Sequence, residues 1–210
     1  MRDSDLAYEK LKMMIVTAEL KPSEALSETH LMEQLGLGRT PIREGLNRLA
    51  WEDFIKIIPR QCILVNDISL QDVEAVYQMR LTLVPLESEL AVKNHTQEDI
   101  ERLTDVFNEI REEKDPYKRV ILDRSFHRVV SGMTGNPFLE KAMNNYQDLS
   151  MRLLFLKKLN ASSVDDLNFE QHESILKYIR EESPAELITD EYQADEKAGV
   201  TRLSWRVSGR

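Results

Sequence analysis

The stretch that decides the fold is LGLGRTPIREGLNRLAWEDFIKIIPRQCILV, residues 35–65. It predicts the end of a short helix, a tight turn at two glycines, a second helix that begins with basic side chains, and then a two-stranded hairpin. Ile42, Leu46 and Leu49 recur at helical spacing and predict the buried stripe of that second helix. The pattern is typical of a helix-turn-helix followed by a wing, which places the start of one helix against DNA.

Two more helices are predicted before this stretch. The first spans about residues 4–18, and the second begins after an N-cap at Ser27 and runs through the end of the LMEQL segment. Thr40 followed by Pro41 predicts the start of the third helix, with the threonine hydroxyl as its cap. Arg43 falls on a face away from the buried stripe, from which a guanidinium can donate two hydrogen bonds to guanine.

Composition limits the class of protein. The 210 residues are 41% hydrophobic and 31% charged, which leaves room for one large domain or two small ones. No apolar run approaches the roughly 20 residues that cross a bilayer, and the polar start MRDSDLAYEK does not resemble a signal peptide. The single cysteine, Cys62, excludes a disulfide within the chain, and together these features predict a cytoplasmic protein.

The charge is unevenly distributed. The chain has a formal net charge of -9, but residues 1–66 carry 9 basic side chains against 10 acidic ones, so most of the acidity lies in the later part. Residues 37–60 are locally basic. A basic face on an acidic protein can bind DNA specifically while resisting loose adhesion.

The segment ELKPSEALSETHLMEQLGLGRTPIREGLNRLAWEDFIKIIPR, residues 19–60, resembles the winged helix-turn-helix of GntR-family bacterial transcription regulators. The resemblance covers about residues 5–66. It implies that Arg39, Thr40 and Arg43 contact DNA, with Thr29 and the wing residue Arg60 as further contacts.

Three departures from the family pattern accompany this resemblance. Ser23 and Asp53 stand where glycine is common, and Gln61-Cys62 replaces the usual basic residue and glycine of the wing. A wing without that glycine is less able to approach a minor groove closely. The departure at Gln61-Cys62 therefore concerns the wing contacts and not the recognition helix.

From Ser69 onward helical periods predict a second, all-helical domain. Pro85 is expected to kink or break its first helix, Thr96 caps the next, and Asp115 with Pro116 opens a third. Later helices are expected over about residues 138–158 and 165–182, with a last one from residue 184. The predicted fold is mainly α: a winged helix-turn-helix over residues 1–66 and an antiparallel all-helical bundle over residues 67–210.

One group of metal-ligating residue types lies in this bundle. Asp123 and His127 are four residues apart, so both side chains lie on one helix face, and His172 falls on or beside the apolar stripe of another helix. A carboxylate and two imidazoles that converge in a helical bundle suit Zn²⁺, Ni²⁺ or Mn²⁺. The alternative is an ordinary hydrogen bond between Asp123 and His127 on a helix surface.

The segments LDRSFHRVVSGMTGNPFLEKAM and FEQHESILKYIREESPAE resemble the helical effector domain of the FadR branch of the GntR family, the FCD type, over about residues 70–194. The resemblance implies that Asp123, His127 and His172 are three of four metal ligands. The fourth is expected near Ala194, yet no histidine follows His172. Candidates to replace this fourth ligand are Asp190, Gln193 and Asp195. Water or a carboxylate of the effector are further alternatives. The other alternative is a metal-free pocket in which Asp123 and His127 form an ion pair.

Two arginines are candidates for binding an effector. Arg80 matches an arginine that the family places at the effector cavity, although the usual acidic residue four positions later is Val84 here. Arg152, on the long helix, is a second candidate. A guanidinium binds a carboxylate through two parallel hydrogen bonds, whereas the alternative for both residues is an arginine in solvent or in an interface.

These features together predict a ligand-responsive transcription regulator. Repression that the effector relieves is the expected mode, and activation is the alternative. By resemblance the helical domain forms a homodimer and holds a small carboxylic acid, and a two-fold dimer reads a palindromic operator in double-stranded DNA. One alternative is a metal-dependent enzyme, since two histidines and a carboxylate also describe non-haem iron sites, but an enzyme leaves the winged module unexplained. The other is a DNA-binding scaffold whose bundle senses no ligand.

Overall fold

The computed structural model describes residues 2–158 and 169–180. These residues form two units: the first contains the elements up to residue 69 and the end of α7 from Met151, and the second contains the remaining helices. The elements of the first unit are α1 (Asp3–Val16), β1 (Ala25–Leu26), α2 (Glu28–Leu35), α3 (Arg39–Trp51), β2 (Ile55–Ile58) and β3 (Cys62–Val65). The other helices are α4 (Leu70–Asn94), α5 (Gln97–Glu112), α6 (Pro116–Met133), α7 (Pro137–Lys158) and α8 (Phe169–Ile179).

The core of the first unit lies where α3 packs on α1. Ile42, Leu46 and Leu49 of α3 are fully or almost fully buried, which confirms the predicted stripe. Gly45 lies on the same face, where an added Cβ would come within 3.0 Å of the backbone nitrogen of Tyr8. The two helices therefore approach more closely than a residue with a side chain would allow.

The hairpin is part of a small antiparallel sheet in the order β1-β3-β2. β2 and β3 pair with Ile58 opposite Cys62, as the hairpin prediction requires, whereas β1 was not predicted because it has only two residues. Ser23 and Asp53, which stand where the family has glycine, both have φ of 61°. The wing turn places Arg60 in the same left-handed region, at φ 62°.

Two helix starts in the first unit test the cap predictions. Ser27 is the N-cap of α2 and accepts a hydrogen bond from the backbone N–H of His30, as predicted. The prediction that Thr40 caps α3 is wrong, because the N-cap is Gly38, without a side-chain hydrogen bond, and Arg39 is already helical. Pro41 still lies in the first turn, where its missing N–H removes no hydrogen bond within the helix.

In the second unit α4 is one helix of 25 residues with Pro85 inside it. Of the predicted kink or break at this proline, the break is therefore wrong, and the kink stays a prediction. Val84 and Ala91 are both buried in the hydrophobic core of the unit. Packing of a helix face supplies more stability than the one backbone hydrogen bond that proline removes, which explains why the helix is uninterrupted.

The remaining helix starts agree with the sequence. Thr96 and Asp99 form a capping box at the start of α5, and the Asp115 carboxylate accepts hydrogen bonds from Tyr117 and Lys118 at the start of α6. The helix predicted from residue 184 and the first residues of the one predicted from 165 lie outside the described residues. Within the described part of the chain, none of the helices is both long and apolar enough to span a bilayer.

Candidate functional site

The start of α3 presents polar side chains to solvent. Arg39 and Thr40 are exposed, and so are Arg43 and Asn47 one and two turns later. The opposite face of the helix is buried against α1, so the exposed face has a fixed orientation within the first unit. A helix start with free backbone N–H groups and guanidinium side chains suits the phosphates and base edges of DNA.

Arg43 forms an ion pair with a residue of the preceding helix. Its Nε donates to both carboxylate oxygens of Glu28, at 2.9 and 3.0 Å, and Glu28 is the first residue of α2. The hydrogen bond and the charge of Glu28 raise the pKa of Arg43. The side chains remain 59% and 26% exposed, so the pair lies at the surface of the module.

The far end of α3 is fixed to α1 by a second set of contacts. Glu52 accepts hydrogen bonds from the Tyr8 hydroxyl at 2.9 Å and from Lys12 Nζ at 2.8 Å. Arg48 lies 3.6 Å above the Tyr8 ring and pairs with Asp5. Arg48 belongs to the locally basic sequence, but its charge is already engaged at α1.

The other predicted DNA contacts are exposed as well. Thr29 lies on α2 beside Glu28, and Arg60 occupies the wing turn next to the exposed Lys56 of β2. The assignment of Arg39, Thr40, Arg43, Thr29 and Arg60 to DNA contact remains a prediction.

In the second unit the structure brings Asp123, His127 and His172 together. His172 Nε2 lies 2.7 Å from Asp123 Oδ1, and His127 Nε2 lies 3.6 Å from the same oxygen. Gln147 of α7 donates to the second oxygen of Asp123 at 3.0 Å. The His172 ring also meets the edge of Phe126 at 4.7 Å between ring centres. Three helices thus converge on one carboxylate.

Burial controls the protonation of this cluster. Asp123, His127 and His172 are 6%, 9% and 2% exposed. Burial opposes ionisation of Asp123, but the charges of, and hydrogen bonds from, the two imidazoles outweigh it and hold the pKa of the carboxyl well below its ordinary value. Burial lowers the pKa of His127, and Asp123 offsets only part of that effect. An ionised Asp123 is the form in which a carboxylate ligates a metal.

The donor atoms of these residues fit a divalent cation. Each residue offers one ligand atom, and all three atoms lie within 4.8 Å of one another. An anionic oxygen and two imidazole nitrogens in a buried site match the ligand preference of Zn²⁺, Ni²⁺ and Mn²⁺. The fourth ligand expected near residue 194 lies outside the described residues, as do Asp190, Gln193 and Asp195.

A second buried polar group lies on α4 near this cluster. Arg80 donates to the hydroxyl of Ser150 at 2.9 Å, and its charge contributes to the low pKa of His127. Glu87, two turns further along, accepts a hydrogen bond from the hydroxyl of Ser131. Burial raises the pKa of Glu87 to about 7, against smaller opposing effects of Ser131 and Arg80.

Arg152 lies in the first unit rather than with Arg80. Its side chain is fully buried, and its Nη2 donates to the backbone carbonyl of Asn66. Burial lowers the pKa of Arg152 to about 10, although the charge of Asp67 opposes the change. The role of Arg152 in effector binding remains a prediction.

An open cleft of about 550 Å³ lies elsewhere in the second unit, where the end of α5 meets the start of α6. Its polar lining consists of Glu109, Glu112, Glu113 and Lys118. Three carboxylates against one ammonium disfavour a carboxylic acid there. The Asp123 cluster does not line this cleft.

Sequence reasoning missed Glu28, Gln147 and Glu87. The signal for Glu28 was an acidic residue directly after the N-cap of α2, a position favourable to a carboxylate in any helix and so easily attributed to that effect. Gln147 lies 24 residues from Asp123, and no spacing rule relates residues on different helices.

Comparisons with known proteins agree with this architecture. The profile of the bacterial regulatory proteins of the gntR family matches residues 4–65, and that of the FCD domain matches residues 75–188. The solved structure of E. coli McbR/YncC has a TM-score of 0.83 with this chain at 21% identity, over 99% of both chains. That similarity shows a shared fold.

Two curated relatives come from Bacillus subtilis (strain 168). The chain is 26% identical to the uncharacterized HTH-type transcriptional regulator YdhC, over 68% of this chain and 65% of that protein. It is 23% identical to the gluconate operon transcriptional repressor, over 90% of this chain and 79% of that protein. The match to YdhC therefore spans about two thirds of its length.

Proposed function

The chain belongs to the GntR family of bacterial transcription regulators and carries an FCD domain, and from this premise we propose that it is a homodimeric repressor of a palindromic operator. Binding of a small carboxylic acid releases this repressor from the DNA. The assigned domains and relatives are those of regulators, so the role is not enzymatic. We assign DNA binding to residues 1–66 and ligand binding and dimerisation to residues 67–210.

The observation that carries the proposal is the two-sided character of α3. Its apolar stripe is buried, while Arg39, Thr40 and Arg43 face solvent at the end of the helix where the dipole is positive. Arg43 is the proposed reader of guanine, Arg39 and Thr40 bind phosphates and adjacent base edges, and Thr29 and Arg60 add contacts from α2 and the wing. Two such modules in a symmetric dimer require a symmetric site.

The Asp123 cluster is the proposed sensor. Asp123, His127 and His172 would hold a divalent cation, and Gln147 would orient the carboxylate through its hydrogen bond. A bound cation supplies a Lewis-acidic position for a carboxylate oxygen of the effector. The charge of Arg80 acts on His127, and this positive charge favours an anionic ligand.

Release follows from linkage. The effector must bind one arrangement of the dimer more tightly than another, and it shifts their populations only by that difference in affinity. An arrangement that fits the half-site spacing badly then becomes dominant. Repression is supported by the named repressor among the relatives.

The first test uses DNA selected by the purified full-length protein from a random duplex pool. Arg43→Ala should weaken binding to the enriched duplex by about 1–3 kcal/mol, as expected for an arginine that reads a base. The matched control is Arg102→Ala, which makes the same charge change on an exposed residue of α5. Normal binding by Arg43→Ala across salt concentrations would show that the recognition helix is wrongly assigned.

The second test separates the sensor from a ligand-free scaffold. The melting temperature is measured with Zn²⁺, Ni²⁺ or Mn²⁺, each with and without small carboxylic acids. The metals and at least one acid should raise it, and an acid that raises it should also release the protein from the enriched duplex. A protein that binds its duplex but responds to none of these additions is a scaffold.

A further inference from the structure

The ion pair between Arg43 and Glu28 fixes one side of the guanidinium. Both hydrogen bonds to Glu28 come from Nε, and within the residues that the structure describes the two terminal nitrogens of Arg43 make no hydrogen bond. The N–H groups of Nη1 and Nη2 are therefore available as a pair, on the edge of the guanidinium that faces away from Glu28.

That edge is a suitable reader of guanine. Two parallel N–H groups match the O6 and N7 acceptors in the major groove. A guanidinium can also approach a base through Nε and one terminal nitrogen, and an unrestrained arginine side chain samples many orientations. An acceptor at Nε prevents the approach through Nε and one terminal nitrogen. It also limits the approach through the two terminal nitrogens to one direction.

We propose that Glu28 is a specificity-determining residue that acts through Arg43: it holds Nε so that the terminal edge alone is presented to guanine. The inference rests on the proposed function, because it requires the exposed face of α3 to meet DNA. Glu28 is a positioning residue here and need not touch the duplex itself.

Electrostatics gives this proposal a distinctive sign. A carboxylate on a DNA-facing surface repels phosphates and lowers affinity for every sequence. It also reduces the attraction of Arg43 to phosphates at random sites, which favours the operator over other DNA. An exposed ion pair adds little to folding stability, so its effect is expected in sequence discrimination.

The experiment measures dissociation constants of the full-length chain for two duplexes at one fixed salt concentration by fluorescence anisotropy. One duplex is the sequence that wild type enriches from a random pool, and the other is its scrambled counterpart. The variants are Glu28→Ala, Glu28→Gln and Arg43→Ala, with Glu28→Ala repeated in the Arg43→Ala background. The matched control is Glu33→Ala, which removes an exposed charge from the same helix.

Glu28→Ala should tighten binding to the scrambled duplex and reduce the preference for the enriched one about fivefold. Glu28→Gln keeps an oxygen acceptor for Nε and should recover part of that preference. Glu33→Ala should tighten both duplexes alike and leave the preference unchanged. In the Arg43→Ala background, Glu28→Ala should not change the preference further.

The inference is overturned if Glu28→Ala keeps the wild-type preference, or if its effect persists without Arg43. Suppose that wild type enriches a sequence and that Arg43→Ala no longer prefers it. Either result then refutes only the role of Glu28, and the proposed function stands. If wild type enriches no sequence, the proposed function fails and the role of Glu28 fails with it.

Discussion

Replacement of Gly45 by alanine should loosen the contact between α1 and α3. A Cβ at this position would lie 3.0 Å from the Tyr8 nitrogen and 3.3 Å from both the Ala7 carbonyl carbon and the Tyr8 Cα. All three neighbours are backbone atoms, so no side-chain rotation relieves the overlap and the helices must separate. Overpacking of this kind costs about 1–3 kcal/mol.

The same substitution also brings a gain, because alanine is better than glycine inside a helix by about 1 kcal/mol. The expected net loss is about 0–2 kcal/mol. Gly132 provides the matched control: it lies within α6, and an added Cβ meets no atom within 4 Å. Gly132→Ala should therefore show the propensity gain alone, about 0.5–1 kcal/mol.

Amide hydrogen exchange read by mass spectrometry separates the two units of the chain. The most protected amides of α1 and α3 should exchange up to about 30-fold faster in Gly45→Ala, and those of α6 about 2- to 5-fold slower in Gly132→Ala. Protection of α6 should rise in the control Gly132→Ala. If protection of α3 also rises in Gly45→Ala, the argument from backbone contact is refuted.

Three further substitutions test the second unit and one strained turn. His127→Ala should abolish retention of Zn²⁺ after loading and dialysis, measured by elemental analysis, whereas His95→Ala should retain it; wild type that retains no metal after loading would refute the metal site. Because burial raises the pKa of Glu87 from 4.5 to about 7, its contribution to stability is fully present below pH 4.5 and is lost as the pH rises through 7, on the order of 3 kcal/mol. Glu87→Gln should remove that part of the pH dependence of the free energy of unfolding, measured by urea unfolding curves. If this free energy changes between pH 5 and pH 7 (roughly one pH unit either side of the midpoint of the two pKa values) as much in the variant as in wild type, the assignment is contradicted. Asp53→Gly should stabilise the first unit by about 0.5–1 kcal/mol, because Asp53 has φ of 61°, and Asp53→Ala should not; equal melting temperatures for these two variants would show that the turn is unstrained.

The sequence was sufficient where local chemistry determines the structure. Ser27, Thr96 and Asp115 cap helices because a side-chain oxygen one position before a helix satisfies an otherwise unpaired N–H. Thr40 had the same chemistry but lies one residue inside α3. The helix begins earlier, after the extended backbone of Gly38. A propensity rule does not show which of two nearby start positions tertiary packing selects.

Tertiary packing decided the remaining features. Pro85 predicts a kink or a break from local sterics, but burial of the residues around it keeps α4 continuous. Asp123 and His127 could be placed on one face from their spacing, while the approach of His172 depended on how α8 packs against α6. Glu87 and Gln147 became recognisable as part of the polar interior only once the helices were in place.

The contacts of Glu52 with Tyr8 and Lys12 have an evolutionary consequence. They anchor the carboxyl end of α3 to α1, at the far end of the helix from Arg39 and Thr40. The polar anchor of α3 and the side chains proposed to contact DNA thus lie towards opposite ends of one helix. If the proposed DNA contacts hold, duplicated copies of such a gene can acquire new target sites by mutation at positions 39, 40 and 43 while these anchoring contacts are kept, and the parent copy keeps the older target.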